Sequence, residues 1–261
     1  MDASSPSARQ AQAGATGPVI SVVVPVHNEA DNLRPLISEI AAALDGREAY
    51  EIVYVDDGSS DGSAELLRAL MKEFPALRVL RHLVCAGQSA AIATGVAGAR
   101  AAMIATLDGD GQNDPADIAQ LLSVWRQAPD DQRPGLMVAG FRAKRRDNGI
   151  RRLSSKVANV VRSRMLGDDT PDTGCGLKVF PRDAFLDLPR FDHMHRFLPA
   201  LMLRRGGRVV SVEVNHRPRA RGVSKYGLFD RLWVGIVDLF GVLWLRRRAL
   251  RPSVEEMKKD I

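Results

Sequence analysis

Ten residues, Thr106–Pro115, hold the densest chemistry in the chain. Asp108 and Asp110 are two apart, with Gly109 and Gly111 beside them, and Gln112 adds a neutral oxygen. Two carboxylates at that spacing on a turn reach one cation from the same side. Hard oxygen ligands of this kind suit magnesium or manganese, which keep positions open for phosphate oxygens. A bare pair of aspartates at this spacing is more often a solvated acidic turn. Here the surroundings reverse those odds. The apolar run Ala101–Leu107 reads as a buried strand leading into the pair. Asp114 as N-cap, Pro115 at the first helical position and Asp117 in the first turn then start a helix. The end of a parallel strand running into a helix is where α/β proteins bind ligands.

The elements that must position this turn alternate along the first half. Val19–Val26 is a β-branched run that reads as a strand, followed by the turn His27-Asn28-Glu29 and a helix over Leu33–Leu44. Glu51–Val55 is a second strand, broken by the turn cluster Asp56–Gly62, with a helix over Ala64–Phe74. Val79–His82 is a third strand. Gly87–Arg100 reads as a helix whose small residues let it lie close on a sheet. Ala101–Leu107 is the fourth strand, Ile118–Trp125 a helix and Leu136–Phe141 a fifth strand. This order predicts a mostly parallel α/β sheet with helices on both faces. Neither a glycine fingerprint for a dinucleotide nor a Walker lysine loop follows the first strand. Carboxylates instead mark three strand ends: Glu29, Asp56 with Asp57, and Asp108 with Asp110. Together they can accept from a base, hold ribose hydroxyls and bind a metal.

The second half is less regular. Ile150–Leu166 reads as a basic helix, Asp172–Phe180 as a turn into a short strand, Phe197–Leu203 as a helix and Arg208–Val214 as a strand. His216–Gly227 is a basic loop with a glycine hinge. A last helix repeats Leu228/Phe229, Leu232/Trp233, Ile236/Val237, Phe240 and Leu243/Trp244 at helical spacing and closes on Arg246-Arg247-Arg248. It is too short and too interrupted to span a bilayer. Two readings fit it: an amphipathic helix in the headgroup region of anionic lipid, or a core or dimer helix whose cationic end suits its dipole. The expected division is a disordered tail over 1–18, one α/β domain over 19–225, an amphipathic membrane-interface helix over 226–252 and a polar tail over 253–261.

With 261 residues and 45% hydrophobic content, the chain can bury a substantial core. The net charge of +6 favours an anionic partner. Aromatic content of 5% and the lack of any RNA- or DNA-binding motif count against nucleic acid. Cys85 and Cys175 lie far apart without metal-ligand spacing and read as reduced thiols of a cytosolic protein.

Four segments in order carry a family resemblance: Val24–Glu29, Val55–Gly62, Asp108–Pro115, and Arg219 with Gly222, Ser224 and Lys225. They resemble family 2 glycosyltransferases of the GT-A fold, over roughly residues 19–250. The last segment is similar to the dolichol-phosphate mannosyltransferase-like, or polyprenyl-phosphate, branch, and Asp238–Arg248 resembles bacterial members that modify lipopolysaccharide. The resemblance implies a nucleotide diphosphate sugar donor, GDP- or UDP-linked, and a polyprenyl phosphate acceptor. It places Pro25, His27 and Glu29 at the base and ribose, Val55 and Asp57 at the base, and Asp108 and Gly109 at the ribose and diphosphate. Asp110 with Gln112 would bind Mg2+ or Mn2+. Arg142, Arg219 and Lys225 would bind phosphates, with Asp110, Arg219 and Lys225 carrying catalysis. Asp172–Gly176 resembles an acceptor-side segment and equally reads as a tight turn. Two departures stand out: His27 replaces a common tyrosine, and Gly111 stands where many members carry leucine.

These implications define an inverting, metal-dependent transfer at the inner, cytoplasmic face of the membrane, by a peripheral enzyme of cell-envelope glycan or lipopolysaccharide modification that can act as a homo-oligomer. A lipid monophosphate is already anionic near neutral pH, its second pKa being about 6, so no strong general base is required. His193, His195 and His216 then read as structural or phosphate-side residues. The alternatives are a saccharide or soluble acceptor and, more remotely, a basic nucleic-acid-binding protein.

Overall fold

The computed structural model describes residues 17–143, 162–218, 228–250 and 255. Residues 1–16 of the tail expected over 1–18, residues 150–161 of the basic helix expected over Ile150–Leu166, and the loop carrying Arg219, Ser224 and Lys225 lie outside the described residues.

Seven strands form one sheet: β1 (Ile20–Val26), β2 (Tyr50–Asp57), β3 (Leu77–His82), β4 (Met103–Thr106), β5 (Leu136–Phe141), β6 (Lys178–Pro181) and β7 (Arg208–Glu213). Their order is β3-β2-β1-β4-β6-β5-β7. β2, β1 and β4 are adjacent and parallel, which brings the ends of all three to one edge. β6 runs antiparallel between β4 and β5, pairing Thr106 with Lys178 and Ala139 with Lys178. The expected parallel run is therefore interrupted. β5 pairs with β6 and β7 and not with β4.

Alternation along the strands assigns the two faces. Val22, Val24, Ile52 and Tyr54 face α1 (Ala30–Leu44), α2 (Ser63–Glu73) and α4 (Asp117–Gln127) through Leu33, Ile37, Leu67, Leu70, Ile118 and Leu121. Val23, Val53 and Ile104 face α3 (Gln88–Gly98) and the later helices α5 (Arg182–Leu186) and α6 (Leu198–Arg205). Helices thus cover both faces, as the pattern predicts. The last helix, α7 (Leu228–Arg247), adds Val242 to the second core, and Leu239 and Leu243 pack against it.

The helix start expected with Asp114 as N-cap and Pro115 first falls two residues later, with Ala116 as N-cap and Asp117 first. Asp114 Oδ1 accepts from the Ala116 N–H at 3.0 Å and its carbonyl accepts from Asp117 N–H at 3.1 Å, so this residue closes a local turn instead of capping α4. Asp117, inside the helix, accepts from the backbone and side-chain amide of Asn215 at 2.7 and 3.0 Å. That bond ties the end of β7 to the acidic loop.

The small residues of α3 do let it approach the sheet. A Cβ on Gly95 would collide with the Val23 side chain and lie 3.1 Å from Val55. In an open helix Gly→Ala gains about 1 kcal/mol. Here overpacking reverses the sign, and Gly95→Ala is expected to lower stability by about 1–2 kcal/mol in denaturant titration.

Candidate active site

The three strand-end segments meet at one rim and are stitched together by hydrogen bonds. Asn28 sits at φ 55°, a left-handed conformation that asparagine tolerates. Its N–H donates to Ser59 Oγ at 2.9 Å, and its Oδ1 accepts from Ser60 N–H at 2.7 Å. His27 Nδ1 lies 2.7 Å from the Asp57 carbonyl. Asp61 accepts from the Ala30 N–H, the first residue of α1, and from Ser63. Glu29 accepts from Asn32 at 2.6 Å.

Asp57 stands at this rim as the post that secures the next loop. Its oxygens accept from His82 Nδ1 (2.6 Å), Cys85 Sγ (3.2 Å), Ala86 N–H (2.8 Å) and Gly87 N–H (2.8 Å). Burial pushes its carboxyl up, but these bonds outweigh burial and hold it below the ordinary range. Val55 is buried, its side chain near Gly95, and offers the rim only its backbone. Pro25 is buried in β1, and its carbonyl lies 2.9 Å from where a Gly109 Cβ would sit. Gly109 is thus fixed by close approach to β1, while Gly111 at φ 73° takes a backbone shape that favours glycine.

Asp108 lies between opposing charges. Burial pushes its carboxyl up, and Asp110 pushes it further. Lys178, Arg142 and the Gln88 amide, which donates at 2.9 Å, pull it back. Its backbone N–H donates to Asn113 Oδ1 at 3.1 Å. Asp110 Oδ1 accepts from the Gln112 backbone N–H at 3.1 Å, closing its own turn. Among the described residues no group of three or more His, Cys, Asp or Glu side chains forms a metal cage.

Arg142 is committed inward. Its Nε and Nη2 fork onto Asp172 at 2.6 and 2.9 Å. Burial works against its charge, yet the Asp172 hydrogen bonds win and it stays cationic. It therefore holds the Asp172–Gly176 turn against the end of β5. On the other side, Arg217 N–H donates to the Gln112 carbonyl at 3.1 Å, and its guanidinium pairs with Asp114 (2.8 Å) and Glu39 (2.6 Å). Asn113 and His216 form an isolated antiparallel bridge.

Sequence reasoning overlooked the inner wall. A cavity of about 210 Å³ opens beside Asp108, lined among others by Gln88, Thr106, Gly176, Lys178, His195 and Arg196. Gly176 is required there, because a Cβ would overlap the Asp108 carboxyl. Lys178 is buried, donating to the Thr173 carbonyl at 3.4 Å and to the Cys175 carbonyl. A lone lysine in Leu177–Phe180 looks like a solvent-facing strand residue, and only the inserted position of β6 makes it central. His195 is tied to α3: its backbone N–H donates to Ser89 Oγ at 3.2 Å and its Nδ1 lies 2.7 Å from the same oxygen.

These features match known proteins. The family model for glycosyl transferase family 2 matches residues 21–188. The chain belongs to that family. It is 35% identical over 239 residues to a dodecaprenyl-phosphate galacturonate synthase of Rhizobium johnstonii, covering 90% of this chain and 69% of that protein. It is 36% identical over 240 residues to an undecaprenyl-phosphate 4-deoxy-4-formamido-L-arabinose transferase of Edwardsiella ictaluri, covering 90% and 72%. Its fold is shared with glucosyl-3-phosphoglycerate synthase of Mycobacterium tuberculosis in complex with UDP. That match has a TM-score of 0.66 at 19% identity and covers 90% of this chain and 82% of that one. A mannosyltransferase of Pyrobaculum calidifontis, in complex with GDP-Man and Mn2+, matches at 0.58 and 19%, covering 92% and 67%. The fold of this glycosyltransferase is thus of the GT-A type.

Burial pushes the His195 ring down to about 3, so it stays neutral in the fold. The unfolded ring takes a proton near pH 6.5, so the stability His195 contributes is lost as pH falls below that value. Asp168, pushed up to about 6 by burial, acts oppositely between about pH 4 and 6. The informative quantity is therefore a difference. His195→Gln is expected to be less stable than wild type at pH 7, with the gap closing by roughly 1 kcal/mol per pH unit between about pH 6 and 4.

Proposed function

We propose that this glycosyltransferase moves a sugar from a nucleotide diphosphate sugar to a polyprenyl phosphate, with inversion, in cell-envelope glycan or lipopolysaccharide modification. The observation that carries the reading is the single rim where the ends of β1, β2 and β4 meet, with Asp108 and Asp110 at its centre. The relatives named above, which act on dodecaprenyl and undecaprenyl phosphates, support the acceptor.

The donor set fits a divalent ion shared with a diphosphate. Asp108 is raised by burial and by Asp110, a repulsion that a cation relieves. Magnesium is commonly held by one or two carboxylates plus phosphate oxygens and water, not by a full protein cage. Asp110 with Gln112 would hold Mg2+ or Mn2+, and when bound the ion supplies Lewis-acid neutralisation of the departing diphosphate. The rim formed by Pro25, His27, Glu29 and Val55 receives the base and ribose, with Asp57 securing its far side. Arg142 orders the turn at Asp172. Arg217 is clasped to Asp114 beside the acidic turn. Arg219 and Lys225 then place positive charge where negative charge develops on the leaving group. The acceptor phosphate attacks as an anion, so no side chain needs to remove a proton.

No helix of the described residues is long and apolar enough to cross a membrane. α7 instead presents Ile236, Val237, Phe240 and Trp244 to solvent along one stripe, with Val237, Phe240 and Trp244 54–61% exposed. We assign this stripe to the headgroup region of the inner, cytoplasmic leaflet, with Arg246–Arg248 beside anionic lipid.

Two measurements test the proposal. With labelled donor, polyprenyl phosphate and manganese, wild type should form an organic-extractable product of inverted anomeric configuration. Asp110→Ala should lose transfer by about 100-fold or more while its melting curve is kept. Product that stays in the aqueous phase would identify a saccharide acceptor instead. Separately, Phe240→Glu with Trp244→Glu should weaken sedimentation with anionic vesicles by more than about tenfold, because each ring contributes roughly 1.5–3 kcal/mol on burial.

A further inference from the structure

The cavity beside Asp108 has a charge the proposed chemistry leaves unused. Its volume is about 210 Å³, room for several waters or a small polar group. Ile92, Leu107 and Leu198, all buried, are the apolar part of its lining. Lys178 lies in its wall at 3% exposure and, among the described residues, makes no ion pair. An ammonium has three donors, and the carbonyls of Thr173 and Cys175 take two. His195 lines the same cavity. Its Nδ1 lies 2.7 Å from Ser89 Oγ, which fixes the ring at the wall. Arg196 and the Gln88 amide are further donors on the lining, and Asp108 is its one carboxylate. Burying a charge costs several kcal/mol unless an opposite charge or dense hydrogen bonding compensates. A donor-rich pocket around a buried ammonium is therefore built for an anion.

We infer that this cavity is the sugar subsite and that Lys178, assisted by His195, selects a donor whose sugar carries a carboxylate, a hexuronate. The inference rests on the proposed nucleotide-sugar reading and specifies its substrate class.

Calorimetric titration with manganese and no acceptor reads donor affinity without transfer. The probes are UDP-galacturonate and UDP-galactose, which differ only in carrying a carboxylate or a hydroxymethyl at C6. A charge-assisted hydrogen bond of about 1.5–3 kcal/mol corresponds to roughly 10- to 100-fold. Wild type should bind the uronate at least tenfold more tightly. Lys178→Met, a similar-sized change that removes a buried charge, should erase that preference, bringing the ratio of the two affinities to within threefold of one. His195→Gln should reduce the preference without abolishing it. Equal affinities in wild type, no affinity for either probe, or a preference that survives Lys178→Met would overturn the subsite. Intact donor selectivity with a raised KM for polyprenyl phosphate in Lys178→Met would move the anion to the acceptor and also overturn it. Failure to form lipid-linked product would remove the acceptor assignment alone, since donor binding is measured separately.

Discussion

The site depends on the antiparallel insertion of β6 between β4 and β5. That one pairing sets Lys178 opposite Thr106 and presses Gly176 against the Asp108 carboxyl. Thr106 donates through Oγ1 to the Gly176 carbonyl at 2.7 Å, which locks the register from the β4 side. A slip of one residue would turn Lys178 to the opposite face and drive a side chain into Asp108. The inner wall, the acidic turn and the Arg142–Asp172 fork all follow from this register.

Electrostatics explains why so many polar groups tolerate the crowding. Asp57 and Asp61 are held ionised by hydrogen bonds from loops they organise. Asp108 is different: its neighbours do not fully offset burial and repulsion, and its carboxyl stays raised. Lys178 is pulled down by burial, with Asp108 and Asp172 among the charges that oppose the shift. The carboxylates committed to structure are stabilised by the chain itself. The two groups facing the cavity are left strained, which is the usual signature of groups that await a ligand.

Much of the first half was legible because hydrophobic alternation and glycine-rich turns are local signals. The strands read to Val26, Val55 and Leu107, which end in the structure at Val26, Asp57 and Thr106, follow from period and turn chemistry, as does the convergence of their carboxylates. The close seat of α3 followed from its small residues. What escaped was non-local. Nothing in Leu177–Phe180 tells that its lysine will be central, because strand order is not written in any one segment. Asp57 was given to a base, yet four donors from His82 to Gly87 claim its oxygens; only the fold brings that loop over it. Asp114 misled for a subtler reason, since an aspartate before proline serves a local turn as readily as a helix cap.

The attachment of α7 has a consequence for geometry. Arg204 Nε donates to the Leu245 carbonyl at 2.7 Å, His193 Nδ1 lies 3.2 Å from Asp238 Oδ2, and Leu239, Val242 and Leu243 pack on the second core, so the helix is held near its middle and near its end. Two such points forbid it to swivel like a leash. Whatever plane receives its exposed stripe also fixes the compass heading of the sheet above it. The helix is a keel, and the mouth of the rim opens at one constant bearing to that plane.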